Sequence, residues 1–245
     1  MLQGAFVFIT SCQMMLFAAG RPGNTPWLAF GIILLIVLPA ISLAIAAVRK
    51  EKRRAADLKQ TAESLGFEFV AKNNSDYLKS LKSLPLFARL GRRQKILNLM
   101  RGKSQSFEVT IFDHNYVVSA GEHSHTRRQS IICFESQVLA LPEFTLGPKR
   151  FWDKVGNMLG RQTIEFDSHP IFAENYALRG SDPYAVRSVF TDPIVEYFEQ
   201  NVGYSAEGSA NRLLLFKANK RVPPVETAAF LEDGLKALSL IHSGG

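Results

Sequence analysis

The sequence predicts an α+β protein in which an N-terminal transmembrane helix or hairpin precedes a cytoplasmic domain with a largely antiparallel sheet and packed helices. Three observations lead to this prediction. An uncharged apolar stretch lies near the N-terminus, a basic run follows it directly, and the remainder places strand-like segments first and helix-like segments toward the end. A chain of 245 residues has room for one span and one domain of ordinary size.

The apolar stretch, residues 27–48, predicts a transmembrane helix. Its 22 residues include no charged side chain, and 13 of them are Leu, Ile, Val or Phe. A helix of this length extends about 33 Å, which is enough for a hydrocarbon core of about 30 Å. Pro39 lies inside the stretch, where neighbouring turns in lipid tolerate a lost hydrogen bond. The competing interpretation is a buried helix of a soluble protein.

The short N-terminal segment, residues 1–26, allows three interpretations. Gly4 to Ala19 is apolar but interrupted by polar residues, and it can form a first span that makes a hairpin with residues 27–48. It can also be a short interfacial stretch beside a single span. A cleaved secretory signal is the third interpretation, although the segment lacks a basic start. Each of them leaves the large domain on the same side of the membrane.

Charge asymmetry indicates which side that is. Residues 49–103 carry 15 Lys+Arg against 5 Asp+Glu, whereas residues 104–245 carry 13 against 17. Basic residues that flank a span lie preferentially in the cytoplasm. We therefore expect an integral membrane protein with residues 49–245 in the cytoplasm. The two distant cysteines, Cys12 and Cys133, do not indicate a disulfide framework, in agreement with a reducing compartment.

Residues 49–66 are predicted to form a basic juxtamembrane helical stalk. Ala55, Leu58, Ala62 and Leu65 recur at helical spacing, and Gly66 stands where a C′ glycine would end the helix.

The cytoplasmic α+β domain is predicted over residues 67–242. Its first half is expected to contain one short helix that ends at Pro85 and several strands of an antiparallel meander, with a turn at His114-Asn115 and a polar hairpin loop over 121–128. The predicted strands are 67–70, 95–100, 107–112, 116–119, and 129–134 paired with 137–144.

The second half of the domain is expected to be mainly helical. Asp-Pro pairs at 182–183 and 192–193 are typical helix starts, because Asp caps the N-terminus and Pro fits the first helical position. The other predicted elements are a helix from Gly147-Pro148 to Leu159, strands at 163–166, 176–179 and 212–217, and a last helix after Pro223-Pro224.

Three histidines provide a hypothetical metal site. His114, His123 and His125 lie in predicted neighbouring loops together with Asp113 and Glu122, and imidazole and carboxylate groups are common metal ligands. Their spacing does not match a closed zinc site. The alternative is that they are solvated residues at hairpin tips.

Asp167 and His169 provide a hypothetical acid–base pair of a hydrolase. The alternative is that Asp167 caps the turn before Pro170. No Gly-x-Ser-x-Gly nucleophile motif occurs in the chain. Gly102-Lys103-Ser104 resembles the end of a phosphate-binding loop, but Leu97 stands where that loop requires glycine. We therefore expect no cofactor.

Basic residues beside the span predict contact with anionic lipid headgroups, since each Lys or Arg near a cytoplasmic leaflet adds about 1 kcal/mol of attraction. The membrane is thus one predicted partner, a protein is another, and nucleic acid is disfavoured because lipid is the nearer anion. The alternative is a solvated face. The residues predicted to face lipid are Arg49, Lys50, Lys52, Arg53, Arg54, Arg92 and Arg93.

Short motifs across residues 55–240 resemble uncharacterised bacterial membrane-anchored proteins, a family built on a domain of unknown function. The motifs are Leu65-Gly66-Phe67, Pro85-Leu86-Phe87, Phe112-Asp113, Leu141-Pro142-Glu143-Phe144, Tyr176-Ala177-Leu178-Arg179-Gly180, Glu207-Gly208 and Leu213-Leu214-Leu215. The resemblance implies an inner-membrane protein and supplies no catalytic residue. We therefore predict a membrane-tethered binding or adaptor domain that is not an enzyme. The alternative is a membrane-anchored hydrolase or metal-dependent enzyme.

Overall fold

The computed structural model describes residues 26–72, 74–89, 91–120, 123–149 and 163–244, and the side chains of residues 26–33, 36, 89, 120, 123 and 244 lie outside that description. The chain divides into two units, Met1–Arg53 and Arg54–Gly245. The predicted first span and most of the helix predicted over 147–159 fall outside the described residues.

Helix α1, Pro26–Ser64, passes through the division between the units. In the first unit, the described side chains from Val37 to Val48 are exposed except for Ala47, which is half-buried. Pro39 lies within the helix, and the Ser42 hydroxyl donates to the Pro39 carbonyl at 2.8 Å. In the part of the chain that the structure describes, no helix is both long and apolar enough to cross a membrane. The predicted span over 27–48 is therefore not confirmed.

Within the described residues, the second unit is an α+β domain built on one eight-stranded sheet whose neighbouring strands are all antiparallel. This confirms the predicted fold class of the domain. The sheet has the order β1-β2-β3-β4-β8-β7-β5-β6. The strands are β1 Glu68–Val70, β2 Arg92–Ser104, β3 Phe107–Ala120, β4 His123–Glu135, β5 Leu141–Pro148, β6 Tyr176–Gly180, β7 Tyr204–Ala210 and β8 Arg212–Lys217.

Helices cover the sheet because alternate side chains of each strand point to opposite faces. On one face, the end of α1 at Leu58 and Ala62 shares a core with the C-terminal helices. On the other face, a smaller core around Phe87 and Phe112 joins two short helices to the sheet. The remaining helices are α2 Ser75–Ser80, α3 Pro85–Arg89, α4 Pro170–Asn175, α5 Pro183–Val189, α6 Asp192–Gln200 and α7 Thr227–Gly244, the last preceded by a 3₁₀ turn, Pro224–Glu226.

Several local predictions are confirmed. Strand β8 coincides with the predicted 212–217, and the Asp182 carboxylate caps α5 by accepting from the backbone N–H groups of Tyr184 and Ala185. At the second Asp-Pro pair the helix begins one residue earlier than predicted, because Thr191 is the N-cap and Asp192 is the first residue of α6.

Three predictions about the strands and their connections are wrong. The turn at His114-Asn115 does not exist, because β3 runs through both residues, and the predicted loop over 121–128 is largely strand β4. The predicted pairing of 129–134 with 137–144 also fails. Strand β4 pairs with β3 and β8, whereas β5 pairs with β6 and β7. Polar residues in the β3–β4 hairpin indicated loops, but cross-strand pairing satisfies the backbone there regardless of side-chain polarity.

Candidate functional site

A buried polar cluster forms around Asp113, in the middle of β3. The side chain of Asp113 is 2% exposed and lies on the face of the sheet that also carries Ile111 and the core around Leu58. Side chains from α1, β2 and β4 converge on its carboxylate. We call this group, made of Arg54, Asn98, Asp113 and Ser130, the Asp113 cluster.

Both oxygens of the Asp113 carboxylate accept hydrogen bonds. Arg54 donates from Nε to Oδ2 and from Nη2 to Oδ1, each at 2.8 Å. Asn98 Nδ2 donates to Oδ2 at 2.9 Å, and the Ser130 hydroxyl donates to Oδ1 at 2.8 Å. A bidentate guanidinium–carboxylate pair of this kind fixes orientation as well as distance. The cluster therefore fixes the part of α1 from Arg54 onward, which belongs to the second unit, against the sheet.

Local sequence brings each donor to its place. Arg54 precedes Leu58 and Ala62 at intervals of four residues, so all three lie on the side of α1 that faces the core. Asn98 has a φ of 50°, at an irregularity where the β2–β3 register shifts between Leu97 and Met100. Asn tolerates this left-handed conformation better than most residues. Ser130 is the register partner of Asp113 on β4.

The electrostatics of the cluster favour the ionised form of Asp113. Burial alone would raise the pKa of this carboxyl, but the hydrogen bonds and charge of Arg54, the charge of Arg221 and the hydrogen bond from Asn98 hold the pKa below its ordinary value. Arg221 Nε lies 3.8 Å from Oδ2. A carboxylate so stabilised is a poor proton acceptor at neutral pH. Its chemistry therefore suits a structural joint better than acid–base catalysis.

The cluster also reaches the segment before the last helix. The backbone N–H of Val222 donates to the Ser130 hydroxyl at 3.0 Å, and the N–H of Ser130 donates to the Lys220 carbonyl at 3.0 Å. A cavity of about 10 Å³ lies beside Arg54, Asp113 and Thr227. A volume of this size accommodates about one water molecule. It is too small for a substrate.

A second polar group lies on the opposite face of the same strand. His114 is fully buried, and its ring packs 4.8 Å from the ring of Phe87 and 5.1 Å from that of Tyr116, measured between centroids. Gln94 Nε2 donates to the Phe87 carbonyl at 2.8 Å, which turns Gln94 Oε1 toward His114 Nε2 at 3.1 Å. The His114 Nε2 atom therefore carries the proton. Burial lowers the pKa of His114 to about 4, so the ring is neutral at physiological pH.

In the part of the chain that the structure describes, the predicted metal ligands His114 and His125 lie apart. His114 is buried within β3, and His125 is exposed on β4 opposite Val118, four residues further along β3. The side chain of His123 and the whole of Glu122 lie outside the described residues. Across the described ranges, no group of three or more His, Cys, Asp or Glu residues is placed to hold a metal ion. The nearest charged partner of Asp113 is Arg54, which occupies the carboxylate that a metal would need.

The predicted acid–base pair is arranged differently from the hypothesis. His169 Nε2 lies 3.2 Å from Asp192 Oδ1, and His169 Nδ1 lies 3.6 Å from Glu199 Oε1. Asp167 is exposed in the preceding turn. Glu199 also accepts from the backbone N–H of Phe172 at 2.9 Å. The contacts of His169 therefore join α4 to α6, and they do not involve Asp167.

The basic residues predicted to face lipid separate into two groups. Arg49, Lys50, Lys52 and Arg53 are exposed on α1, and Arg92 and Arg93 are exposed at the start of β2. Arg54 differs, because its side chain is only 13% exposed and points into the domain to pair with Asp113. A guanidinium held by a buried carboxylate cannot also reach a lipid headgroup, so Arg54 is removed from the predicted lipid-facing set.

Sequence reasoning missed the buried polar residues Asn98, Ser130 and Glu207. Glu207 is fully buried on β7, and its Oε2 accepts from the backbone N–H of Leu86 at 2.9 Å. The available signal was a charged or amide residue inside a run of apolar strand residues, as in Leu97-Asn98-Leu99. Such a residue must find hydrogen-bond partners when the strand is buried.

Comparison with known proteins finds a likeness in fold. The chain matches no protein-family model, and no curated protein matches it. The crystal structure of the mycobacterial trehalose monomycolate transport factor A is similar, with a TM-score of 0.52 and 17% sequence identity over 80% of this chain and 94% of that chain. At this identity the likeness concerns the fold, an α+β domain with a large antiparallel sheet.

Proposed function

We propose that this protein is a membrane-tethered cytoplasmic adaptor that binds a partner protein and serves the transport of a lipid. The observation that carries the proposal is α1, one helix that contains the apolar stretch 27–48, the basic run and the core residues Leu58 and Ala62. A membrane tether that continues as a core helix of the domain is typical of an accessory protein that is held beside a membrane-embedded protein complex. The name of the structural neighbour, a transport factor for trehalose monomycolate, supports the lipid part of the proposal.

The apolar part of α1 supports the tether. Leu35 is 76% exposed and Leu43 is 70% exposed within the first unit, among eight large apolar side chains exposed between Leu34 and Val48. Exposure of each such side chain to water costs about 1.5–3 kcal/mol relative to burial. Hydrocarbon is an environment in which a helix apolar on all sides is stable. Its basic flank, from Arg49 to Arg54, supports a cytoplasmic location of the domain.

The tether is tested by replacing two exposed leucines of the full-length chain, Leu35→Asp and Leu38→Asp. We expect the unchanged protein to remain in bacterial membranes during alkaline carbonate extraction and the double variant to be released, because each aspartate near the centre of a span costs about 2.5–3.5 kcal/mol. Val225→Asp is the matched control, since Val225 is 90% exposed and lies outside α1. Release of the unchanged protein by carbonate would refute the tether.

The adaptor role is tested by affinity purification of the full-length protein in mild detergent, with mass spectrometry and metal analysis of the same sample. We expect a stoichiometric protein partner and no stoichiometric metal. A bound metal without a protein partner would overturn the adaptor proposal and favour the metal-dependent enzyme. The Asp113→Asn variant is informative here, because loss of the partner together with intact folding would show that the joint to α1 is needed for binding.

A further inference from the structure

One end of the sheet is a narrow three-stranded strip. Strand β4 pairs with β3 from Glu135 to His123, but it pairs with β8 only from Glu135 to Ile131. Strands β2, β3 and β4 therefore continue past the end of β8. Exposed cations occupy this strip and the turn at its base, where the Lys220 carbonyl bonds to Ser130. We call these residues the basic end: Arg92, Arg93, Lys95, Arg127 and Lys220.

The charge of the domain is strongly polarised around this end. The described ranges 91–97, 114–120, 123–129 and 219–220 contain six Lys+Arg and no Asp or Glu, and Glu122 lies outside the described residues. Residues 163–203, which form α4, β6, α5 and α6, contain two Lys+Arg against seven Asp+Glu. A domain with this separation is oriented by an anionic surface, since its basic end is attracted while its acidic helices are repelled.

The cations surround the strip and do not line one pocket. Lys95 is the register partner of Asn115 and Arg127 that of Tyr116, which are consecutive on β3, so Lys95 and Arg127 point to opposite faces. Arg92 is held by a 3.0 Å hydrogen bond to the Ser119 hydroxyl. Cations on both faces of a projecting end can contact an extended anionic surface together, but they cannot converge on one small anion. Val118, 37% exposed near the tip, adds an apolar contact for such a surface.

We propose that the basic end binds the anionic phospholipid headgroups of the membrane in which α1 is anchored. This inference rests on the proposed function, because the tether brings the bilayer close. Only six positions of chain separate Val48, at the end of the apolar stretch, from Arg54 in the Asp113 cluster, and β3 continues from Asp113 directly into the strip.

Hydrogen exchange of the full-length protein in lipid nanodiscs tests this inference. One nanodisc contains phosphatidylcholine alone, and the other contains phosphatidylcholine mixed with phosphatidylglycerol. We expect slower amide exchange in β2 near Arg92 and in β4 near Arg127 only with the anionic lipid. High salt should abolish the difference, because it screens the exposed charges.

Charge reversal supplies the decisive comparison. The triple variant R92E/R93E/K95E is expected to lose the protection, since each cation contributes a roughly five-fold preference for anionic lipid. The matched variant K82E/K103E/K236E changes three exposed lysines away from this end and is expected to keep it. Equal protection by both lipid compositions, or protection that survives R92E/R93E/K95E, would overturn the proposal.

Two further outcomes distinguish loss of the tether, loss of the headgroup site and binding of a different polyanion. Failure of the unchanged protein to enter either nanodisc would refute the tether itself, whereas entry without lipid-dependent protection refutes only the headgroup site. A single-stranded oligonucleotide is added to the phosphatidylcholine sample as a competing polyanion. Protection of the same amides by the oligonucleotide, without any effect of phosphatidylglycerol, would replace lipid with nucleic acid as the ligand.

Discussion

Asp113 and His114 are consecutive residues of one strand, both buried, and they are held in opposite ways. Asp113 is charged and is surrounded by donors from three other elements. His114 is neutral, and its ring lies between those of Phe87 and Tyr116 with one hydrogen bond to Gln94. Strand alternation places them on different faces of the sheet, so each is adapted to a different core.

The comparison shows two ways to bury a titratable side chain. A buried charge is tolerated when partners replace the water that it loses, and its pKa then moves toward the charged form. A buried imidazole without an acidic partner instead loses its proton and becomes neutral, and for this reason burial lowers the pKa of His114. The partners of Asp113 bind α1 to the sheet, whereas the neighbours of His114 mainly fill space. We therefore expect the two residues to respond differently to substitution and to pH.

The largest effect is expected for Asp113→Ala. Removal of the carboxylate leaves the guanidinium of Arg54 buried without its anion, which costs about 3–5 kcal/mol of unfolding free energy. Urea unfolding of the full-length protein in mild detergent, followed by circular dichroism, measures this loss. Asp167→Ala is the control, because Asp167 is exposed and its loss should change the unfolding free energy by less than about 0.5 kcal/mol.

A double variant sharpens this prediction. Replacement of both charges, in Arg54→Met with Asp113→Leu, is expected to recover most of the stability, because apolar side chains of similar volume replace the pair without an orphaned charge. A double variant as unstable as Asp113→Ala would show that the pair is needed for more than charge neutralisation. In that case Asn98 and Ser130, which donate to the same carboxylate, would be the cause.

Some of the secondary structure around this site could be predicted from the sequence, but the contacts between its side chains could not. Alternating apolar residues predicted a strand up to Phe112, and the helical spacing of Leu58 and Ala62 predicted the buried side of α1. The polar run from Asp113 to Asn115 indicated a loop, however, and this error placed both Asp113 and His114 among surface metal ligands. Pairing between residues 59 positions apart, as in Arg54 and Asp113, leaves no local pattern.

The order of the strands in the sheet could not be predicted from the sequence either. Two strands joined by a short connection, such as β4 and β5, usually pair as a hairpin. Here β8 and β7 lie between them in the sheet. Residues 212–217 were recognisable as a strand from Leu213-Leu214-Leu215, but nothing in that segment specifies β4 as its neighbour. Strand β7 was not predicted either, because Ser205, Glu207 and Gly208 are small or polar residues and give a weak strand pattern.

The pH dependence of stability separates Asp113 from His114. Unfolded His114 binds a proton near pH 6.5, whereas the folded protein holds the pKa of His114 at about 4. Protons therefore favour the unfolded state as pH falls from about 6.5 to 4, with a loss of about 3 kcal/mol over that range. The depressed pKa of Asp113 affects stability at lower pH. The stabilisation that the carboxylate contributes is fully present above pH 3.8, its ordinary pKa, and is lost only as the pH falls below that value.

The His114→Gln variant tests this assignment. Its unfolding free energy should lack the decline that His114 contributes between pH 6.5 and 4, because a glutamine amide does not titrate, and the amide can still donate to Gln94. His125→Gln is the matched control, since His125 is exposed on the neighbouring strand. An unchanged pH profile in His114→Gln would mean that another group binds the proton.

The smallest effect concerns Asn98, whose φ of 50° and hydrogen bond to Asp113 are separable. Asn98→Ala loses both the bond and the tolerance of the left-handed conformation, which costs about 2 kcal/mol. Asn98→Gly loses only the bond, because glycine adopts this conformation freely, and it should be more stable than the alanine variant by about 1 kcal/mol. Urea unfolding measures both. Equal stability of the two variants would show that the backbone of β2 relaxes once the bond to Asp113 is gone, so that the carboxylate itself holds Asn98 in its left-handed conformation.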